Sequence, residues 1–216
     1  MKNSELTLSI IGLEYIKDAE GGFHAHPYWD EGDHGRLTIG YGHLIKPNDH
    51  FPAKGIDPAW GAQLLKTDLN SAVSAVNKKI RKYALKLSAC QFDALVSWVF
   101  NSGADDSDLW TELGKVPPNY AAALMTLNEW IHAGKKGTPS WHALDGLRNR
   151  RFDETVFFLS DMPTGHIKEI MQEAGIRRLP KYPWTHVPIF LKQFEPEQQR
   201  EIMLAAGINK PPAAYI

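Results

Sequence analysis

Apolar side chains at Leu8, Ile11, Tyr15 and Ala19 fall three or four residues apart, which predicts one helical face; Ser9 is placed to cap its start and Gly21 to stop it. The next segment, FHAHPYW, alternates and is aromatic, DEGDHG is turn chemistry, and RLTIGYGHLI is a β-branched and aromatic run with interior glycines. Together these predict a β-hairpin followed by a third short strand. From Asp57 the period becomes helical again: Asp57 caps, Pro58 sits in the first turn, and Leu65, Leu69, Val73, Val76 and Ile80 mark one long helix over about 57–82. Ser88 opens another helix, because SACQ is a capping box flanked by Leu87 and Phe92 at staple positions, and Gly103 ends it. A further helix is expected after Pro117 and Pro118, ending at Gly134, and LRNRRFDETVFFL predicts one more.

The tail carries an internal repeat. KEIMQEAGIRRLP at 168–180 and REIMLAAGINKPP at 200–212 match at Glu, Ile, Met, Ala, Gly, Ile and Pro with a fixed offset of 32. Each copy reads as a short helix closed by a left-handed glycine. Two copies are too few for a self-standing solenoid, so the pair is expected to pack on itself or on the main domain. The fold class is therefore α+β and mostly α.

Composition narrows the function. The chain has 216 residues, 43% hydrophobic, enough to bury a substantial core, and its net charge of -1 gives no general drive toward nucleic acid or an acidic membrane. A single cysteine, Cys90, excludes an internal disulfide and fits synthesis in a reducing cytosol. No stretch approaches the ~18 apolar residues of a membrane helix. The start lacks a signal-peptide core, because Glu5, Glu14 and Lys17 interrupt its apolar run.

Candidate chemistry concentrates in DAEGGFHAHPYWDEGDHGRLTIGYGHL, residues 18–44. Glu20 falls at the last turn of the first helix, where a carboxylate meets the negative end of the helix dipole, a position suited to a proton donor. His24 and His26 alternate on one strand, and with His34 and Asp30 or Asp33 they could be imagined to hold zinc, as in a metal-dependent cell-wall amidase or peptidase. HExxH is absent, however, and no metal or other cofactor is expected.

The ordered blocks EGG, YWD, LTIGYGHL, LLKTDL, QFDALVSWVFNSG and GLRNRRFDETVFF resemble the phage-type lysozymes of glycoside hydrolase family 24, often called endolysins, over about residues 9–160. The resemblance implies a lysozyme-like catalytic domain over 1–160. It would comprise a small N-terminal lobe to about residue 60 with a hairpin sheet, the long connecting helix over about 57–82, and a helical lobe over about 83–160. Residues 161–216 would be a helical extension.

The activity implied is muramidase: hydrolysis of the β-1,4 bond between N-acetylmuramic acid and N-acetylglucosamine in bacterial peptidoglycan. The family's catalytic set falls on Glu20 as general acid, Thr38 as the residue that orients water, and a hairpin Asp as general base. That Asp is Asp30, preceded by Tyr28 and fixed at a strand end, or Asp33 in the loop; Asp30 is preferred because loop tips rarely hold catalytic groups rigidly. Leu44, Phe100, Asn101 and Arg148 fall at positions that could contact substrate, although Arg148 or Arg151 could instead pair with Glu154. His43 and Asp68 are expected to form a structural ion pair, and Trp60, Trp98, Trp110, Trp130 and Trp141 to be core. The resemblance also implies a monomer made in the host cytoplasm that reaches periplasmic peptidoglycan after release by a holin, without nucleic acid or stable membrane insertion. A lysozyme fold reused as a non-catalytic wall-binding or assembly module is the competing class.

Overall fold

A computed structural model describes residues 5–30, 35–103, 105–133, 137–138, 141–179, 184 and 186–208. Helix α1 (Ile10–Ala19) begins where Ser9 Oγ accepts the Gly12 N–H at 3.0 Å. It ends at Glu20, because Gly21 and Gly22 follow with φ of +87° and +94°. Three antiparallel strands come next in spatial order β1 (His24–Asp30), β2 (Arg36–Gly40) and β3 (His43–Leu44). Tyr28 pairs with Thr38, Asp30 with Arg36, and Thr38 with Leu44. Helix α2 (Pro58–Tyr83) is capped by Asp57 Oδ1, which accepts the Trp60 N–H at 2.8 Å. At 26 residues it runs ~39 Å.

Helix α3 (Ala89–Ser102) has the expected capping box, with Ser88 and Gln91 bonded reciprocally at 3.2 and 3.0 Å, and it stops at Gly103. The short helix α4 (Ser107–Leu113) was not expected. Helix α5 (Tyr120–Glu129) ends five residues before the Gly134 stop read from the sequence. The chain there turns into a two-stranded ribbon, β4 (His132–Ala133) with β5 (His142–Ala143), in which His132 stacks on Trp141 at 4.8 Å. Helix α6 (Asp145–Leu159) follows.

Beyond it, helices α7 (Thr164–Ala174) and α8 (Pro196–Ala205) correspond to the two repeat copies; each is followed by a left-handed glycine, Gly175 at φ +66° and Gly207 at +84°. They pack on each other, and α7 also lies against α5. Ile167, Met171, Trp184, Phe190, Leu191, Ile202 and Met203 join Ile16, Leu65, Val76, Phe92, Trp98 and Phe157 in one buried cluster, so the tail shares its core with the rest of the chain. The tryptophans divide. Trp98 and Trp110 are buried as expected, whereas Trp60, Trp130 and Trp141 keep 41, 39 and 38% of their surface exposed, because they sit at a helix start and on the short ribbon.

Candidate active site

Strand pleating sorts the hairpin residues into two faces. Ile39 and His43 turn toward α2, where Ile39 is fully buried and His43 Nδ1 meets Asp68 Oδ2 at 2.7 Å, the ion pair expected from sequence. His43 Nε2 also lies 3.5 Å from Asp49 Oδ2. The Lys46 N–H, bonded at 2.7 Å, and His43 hold the Asp49 carboxyl below its ordinary range. The opposite face carries Tyr28, Asp30, Arg36, Thr38 and Leu44. Thr38 is buried between its cross-strand neighbours and donates to the Tyr28 carbonyl at 3.4 Å, whereas Asp30 is exposed and Leu44 keeps 41% of its surface. Asp33 and His34, the other hairpin residues weighed from sequence, lie outside the described residues.

Glu20 sits where the two halves of the molecule meet. Its Oε1 accepts from Arg150 Nη1 of α6 at 2.8 Å, and a methyl group placed on Gly42, in the β2–β3 turn, would lie 3.6 Å from its Oε2. Gly42 has φ +80°, a left-handed conformation that favours glycine at this turn. Gly40 of the same turn comes so near α2 that an added Cβ would stand 3.2 Å from the Gly61 Cα, which fixes the turn against the long helix.

Behind Glu20 lies a buried charge cluster. Glu154 is fully buried and accepts from Ser97 Oγ at 2.7 Å, Arg150 Nε at 3.2 Å and Arg151 Nη2 at 3.1 Å. Its Oε2 lies 2.8 Å from Arg151 Nε, close enough for charge contact but out of line for a hydrogen bond. Arg151, also fully buried, donates through Nη2 to Asn101 Oδ1 at 2.8 Å. Burial works against the charge on both guanidiniums. At Arg150 the nearby Glu154 and Glu20 more than offset it and raise the pKa, while at Arg151 burial prevails and lowers it. Tyr15, buried beside this cluster, has its hydroxyl pKa pushed well up by burial and then by Glu154 and Asp153.

The sequence-predicted residues are thus partly assembled. Asp30, Thr38 and Leu44 share the outer face of the sheet, and Glu20 faces the turn that follows Thr38. Asn101 is engaged by Arg151, and Phe100 is half-buried against the core. Arg148 lies apart, in a depression of about 300 Å³ with Asn128, Glu129 and Gly175. The arginine that meets Glu20 is Arg150, which the sequence reading missed. Pairing at i, i+4 and i, i+3 with Glu154 was the available signal, and it selects Arg150 and Arg151 but not Arg148.

Among the described residues no group of three or more His, Cys, Asp or Glu is placed to hold a metal ion, and no helix is long and apolar enough to cross a membrane. His24 instead packs its ring on Tyr28 at 4.0 Å.

Comparison with known proteins gives the same picture. No curated protein matches the chain. Among solved structures, an endolysin from Escherichia coli O157:H7 phage FAHEc1 is similar, with a TM-score of 0.62 and 29% identity over 74% of this chain and 97% of that one. The muramidase domain of SpmX from Asticaccaulis excentricus matches with a TM-score of 0.58 and 29% identity over 73% of this chain and 99% of that domain. A P22 lysozyme matches with a TM-score of 0.52 and 27% identity over 71% and 99%. The family model described as phage lysozyme matches residues 18–154, a span that holds Glu20, the hairpin and Arg150, and the chain belongs to the phage lysozyme family.

Proposed function

We propose that this glycoside hydrolase cleaves the β-1,4 bond between N-acetylmuramic acid and N-acetylglucosamine in bacterial peptidoglycan with inversion, using Glu20 as general acid and Asp30 as general base. The observation that carries the reading is the placement of the Glu20 carboxylate at a helix end, between the glycine turn of the hairpin and the Arg150 guanidinium. Glu20 gives its proton to the departing glycosidic oxygen as the C1–O bond breaks. Water attacks C1 from the other side and loses its proton to Asp30, with Thr38 orienting it. Glu20 is left as a carboxylate, whose new charge Arg150 balances; solvent then returns one proton to Glu20 and removes one from Asp30.

Leu44, exposed beside Thr38, is assigned to contact with the sugar, whereas Asn101, which accepts from the buried Arg151, is assigned to support of the charge cluster behind Glu20. Phe100 and Arg148 are the other candidates for sugar contact, the first partly packed on the core and the second in a depression lined by neither Glu20 nor Arg150. The extension after residue 160 is read as a brace, since its apolar residues complete the core. The same reading makes the enzyme a monomer that reaches the wall after release by a holin-type pore.

A zymogram and turbidity assay on purified peptidoglycan tests the roles, with Glu20→Gln, Asp30→Asn and Asp33→Asn compared at equal folded concentration. Glu20→Gln and Asp30→Asn are expected to lose activity by two or more orders of magnitude, and Asp33→Asn to keep it. Wild-type activity in Glu20→Gln would sink the mechanism; loss in Asp33→Asn alone would move the base. Proton NMR of the first reducing sugar released reads the anomer, and retention would exclude water as the direct attacker.

A further inference from the structure

The charge cluster behind Glu20 continues into a segment that the family model does not reach. Asp153 of α6 is paired with Arg178, and its Oδ1 also accepts from Trp184 Nε1 at 3.0 Å. Both partners lie beyond residue 154, where the family match ends. The Arg178 guanidinium is held in place by aromatic rings, 5.3 Å from the centre of Trp184 and 5.8 Å from that of Phe152. The two rings in turn meet edge to face at 5.8 Å. Arg178 is therefore a built contact with fixed geometry.

Asp153 has a second cation within helical reach. Arg150 stands three residues earlier on α6, and the two side chains line the same open cavity of about 560 Å³ together with Tyr15, Asp18 and Ala19. Arg150 is already divided between Glu20 at 2.8 Å and Glu154 at 3.2 Å. A third carboxylate at i+3, if left without its own cation, would compete for it.

Resting on the reading of Glu20 as the general acid, we propose that Arg178 is a positioning residue: by engaging Asp153 it leaves Arg150 to Glu20, so the C-terminal extension completes the active site. The groups facing Asp153 bear this out from each side. Tyr15 and Asp18 from α1 and His186 from the extension line the adjoining cavity of about 180 Å³, Glu154 is the neighbouring acid, and Arg178 is the cation in contact. Burial pushes the Asp153 carboxyl up to about 7 in spite of Arg178, so without Arg178 it either takes a proton, which would leave kcat unchanged and overturn the proposal, or keeps its charge by turning to Arg150, the cation within helical reach.

Steady-state kinetics on soluble peptidoglycan fragments, per folded molecule by circular dichroism, test this with Arg178→Gln, Arg178→Lys, the double variant Arg178→Gln/Asp153→Asn, and Glu20→Gln in parallel. Arg178→Gln is expected to lower kcat about tenfold with KM within about twofold, because a displaced guanidinium no longer meets Glu20. Arg178→Lys keeps the charge and the double variant removes the competitor, so both should return kcat to within about threefold of wild type. A merely structural role would leave the double variant as impaired as Arg178→Gln, and that result overturns the proposal. So does wild-type kcat in Arg178→Gln. Should Arg178→Gln be too unstable to assay, a tenfold loss in either of the other two variants also overturns it, and their recovery supports it. Glu20→Gln separates the two readings: if it stays active, the acid assignment has failed, whereas if it is inactive and Arg178→Gln is not impaired, only the positioning role has.

Discussion

Glu154→Ala tests whether the buried cluster holds the site together. Glu154 has no exposed surface and accepts from Ser97, Arg150 and Arg151, and Arg151 is itself fully buried. Removing the carboxylate leaves one guanidinium in the interior with Asn101 Oδ1, at 2.8 Å, as its remaining described acceptor, and frees Arg150 on one side. Breaking a buried ion pair by deleting one partner costs about 3–5 kcal/mol. Against a total stability of about 5–15 kcal/mol this leaves a folded but marginal protein. At about 2–4 °C per kcal/mol for a domain of this size, Tm should fall by roughly 6–20 °C. Urea unfolding followed by circular dichroism measures it, with an unchanged m-value required for the difference to report native stability. Glu154→Gln keeps the volume but turns an amide toward guanidiniums, and its loss should lie between the two, about 1–3 kcal/mol. If Glu154→Ala stays within about 1 kcal/mol of wild type, the cluster is not what fixes α6, and the account of how Arg150 is aimed at Glu20 fails.

Four further outcomes follow from the same contacts. His43→Ala and Asp68→Asn should each cost about 1–3 kcal/mol in urea unfolding while activity per folded molecule is kept, since the 2.7 Å pair ties β3 to α2 and touches no reacting group; loss of kcat without loss of stability would place the pair in the chemistry. The Asp153 carboxyl, near 3.9 unfolded and about 7 folded, makes the native state the better proton binder between those values, so stability should fall as pH rises from about 4 to 7. The full shift corresponds to at most about 4 kcal/mol, and with 22% of the side chain exposed about 1–3 is expected; equal pH slopes in wild type and Asp153→Asn would refute it. Gly12→Ala would set a methyl group 2.5 Å from the Asp93 carboxyl carbon, which already binds Ser9, so Tm should fall by an amount matching about 1–3 kcal/mol despite the better helix former; an increase would show that Asp93 gives way freely. Truncation after Leu159 removes Ile167, Trp184, Phe190 and Met203 from the core and should leave an insoluble or unfolded chain; a folded product with lost wall binding would make the extension a binding module instead.

Where local rules decide an element, the sequence was readable. The long helix was expected over 57–82 and spans Pro58–Tyr83, the Ser88 capping box is present in full, and both tail glycines stop their helices. Helix α4 escaped because seven residues are too few for apolar periodicity, although Asp106 caps it by accepting the Asp108 N–H at 3.0 Å. The β4–β5 ribbon escaped because each strand has two residues, and pairing across an eight-residue loop leaves no local pattern. Of the candidate site, the place of Glu20 at a helix end was legible from apolar spacing and Gly21, whereas Thr38 was singled out by the family resemblance. Arg150 was not legible, since pairing distance to Glu154 sets Arg150 and Arg151 apart from Arg148 but nothing local says which of the two faces α1; that depends on how α6 is rotated by Phe152, Val156 and Leu159 packing inward.

That rotation also explains why so many charges are tolerated indoors. Glu20, Glu154 and Asp153 stand against Arg150, Arg151 and Arg178, three acids and three bases that cancel formally, and all four pairs include a residue of the segment 150–154. Fully paired, the set avoids the penalty of an isolated buried ion; with any member removed, a neighbour is left uncompensated. Under the proposed mechanism the set is balanced once Glu20 has passed its proton to the leaving oxygen and is a carboxylate. The arrangement therefore favours the charge that develops during bond cleavage over the charge present before it, which is the condition for lowering a barrier instead of merely binding substrate. The stability of α6 and the chemistry at Glu20 are then one electrostatic problem, and a variant that unbalances the cluster at Asp153 or Glu154 should be felt in both.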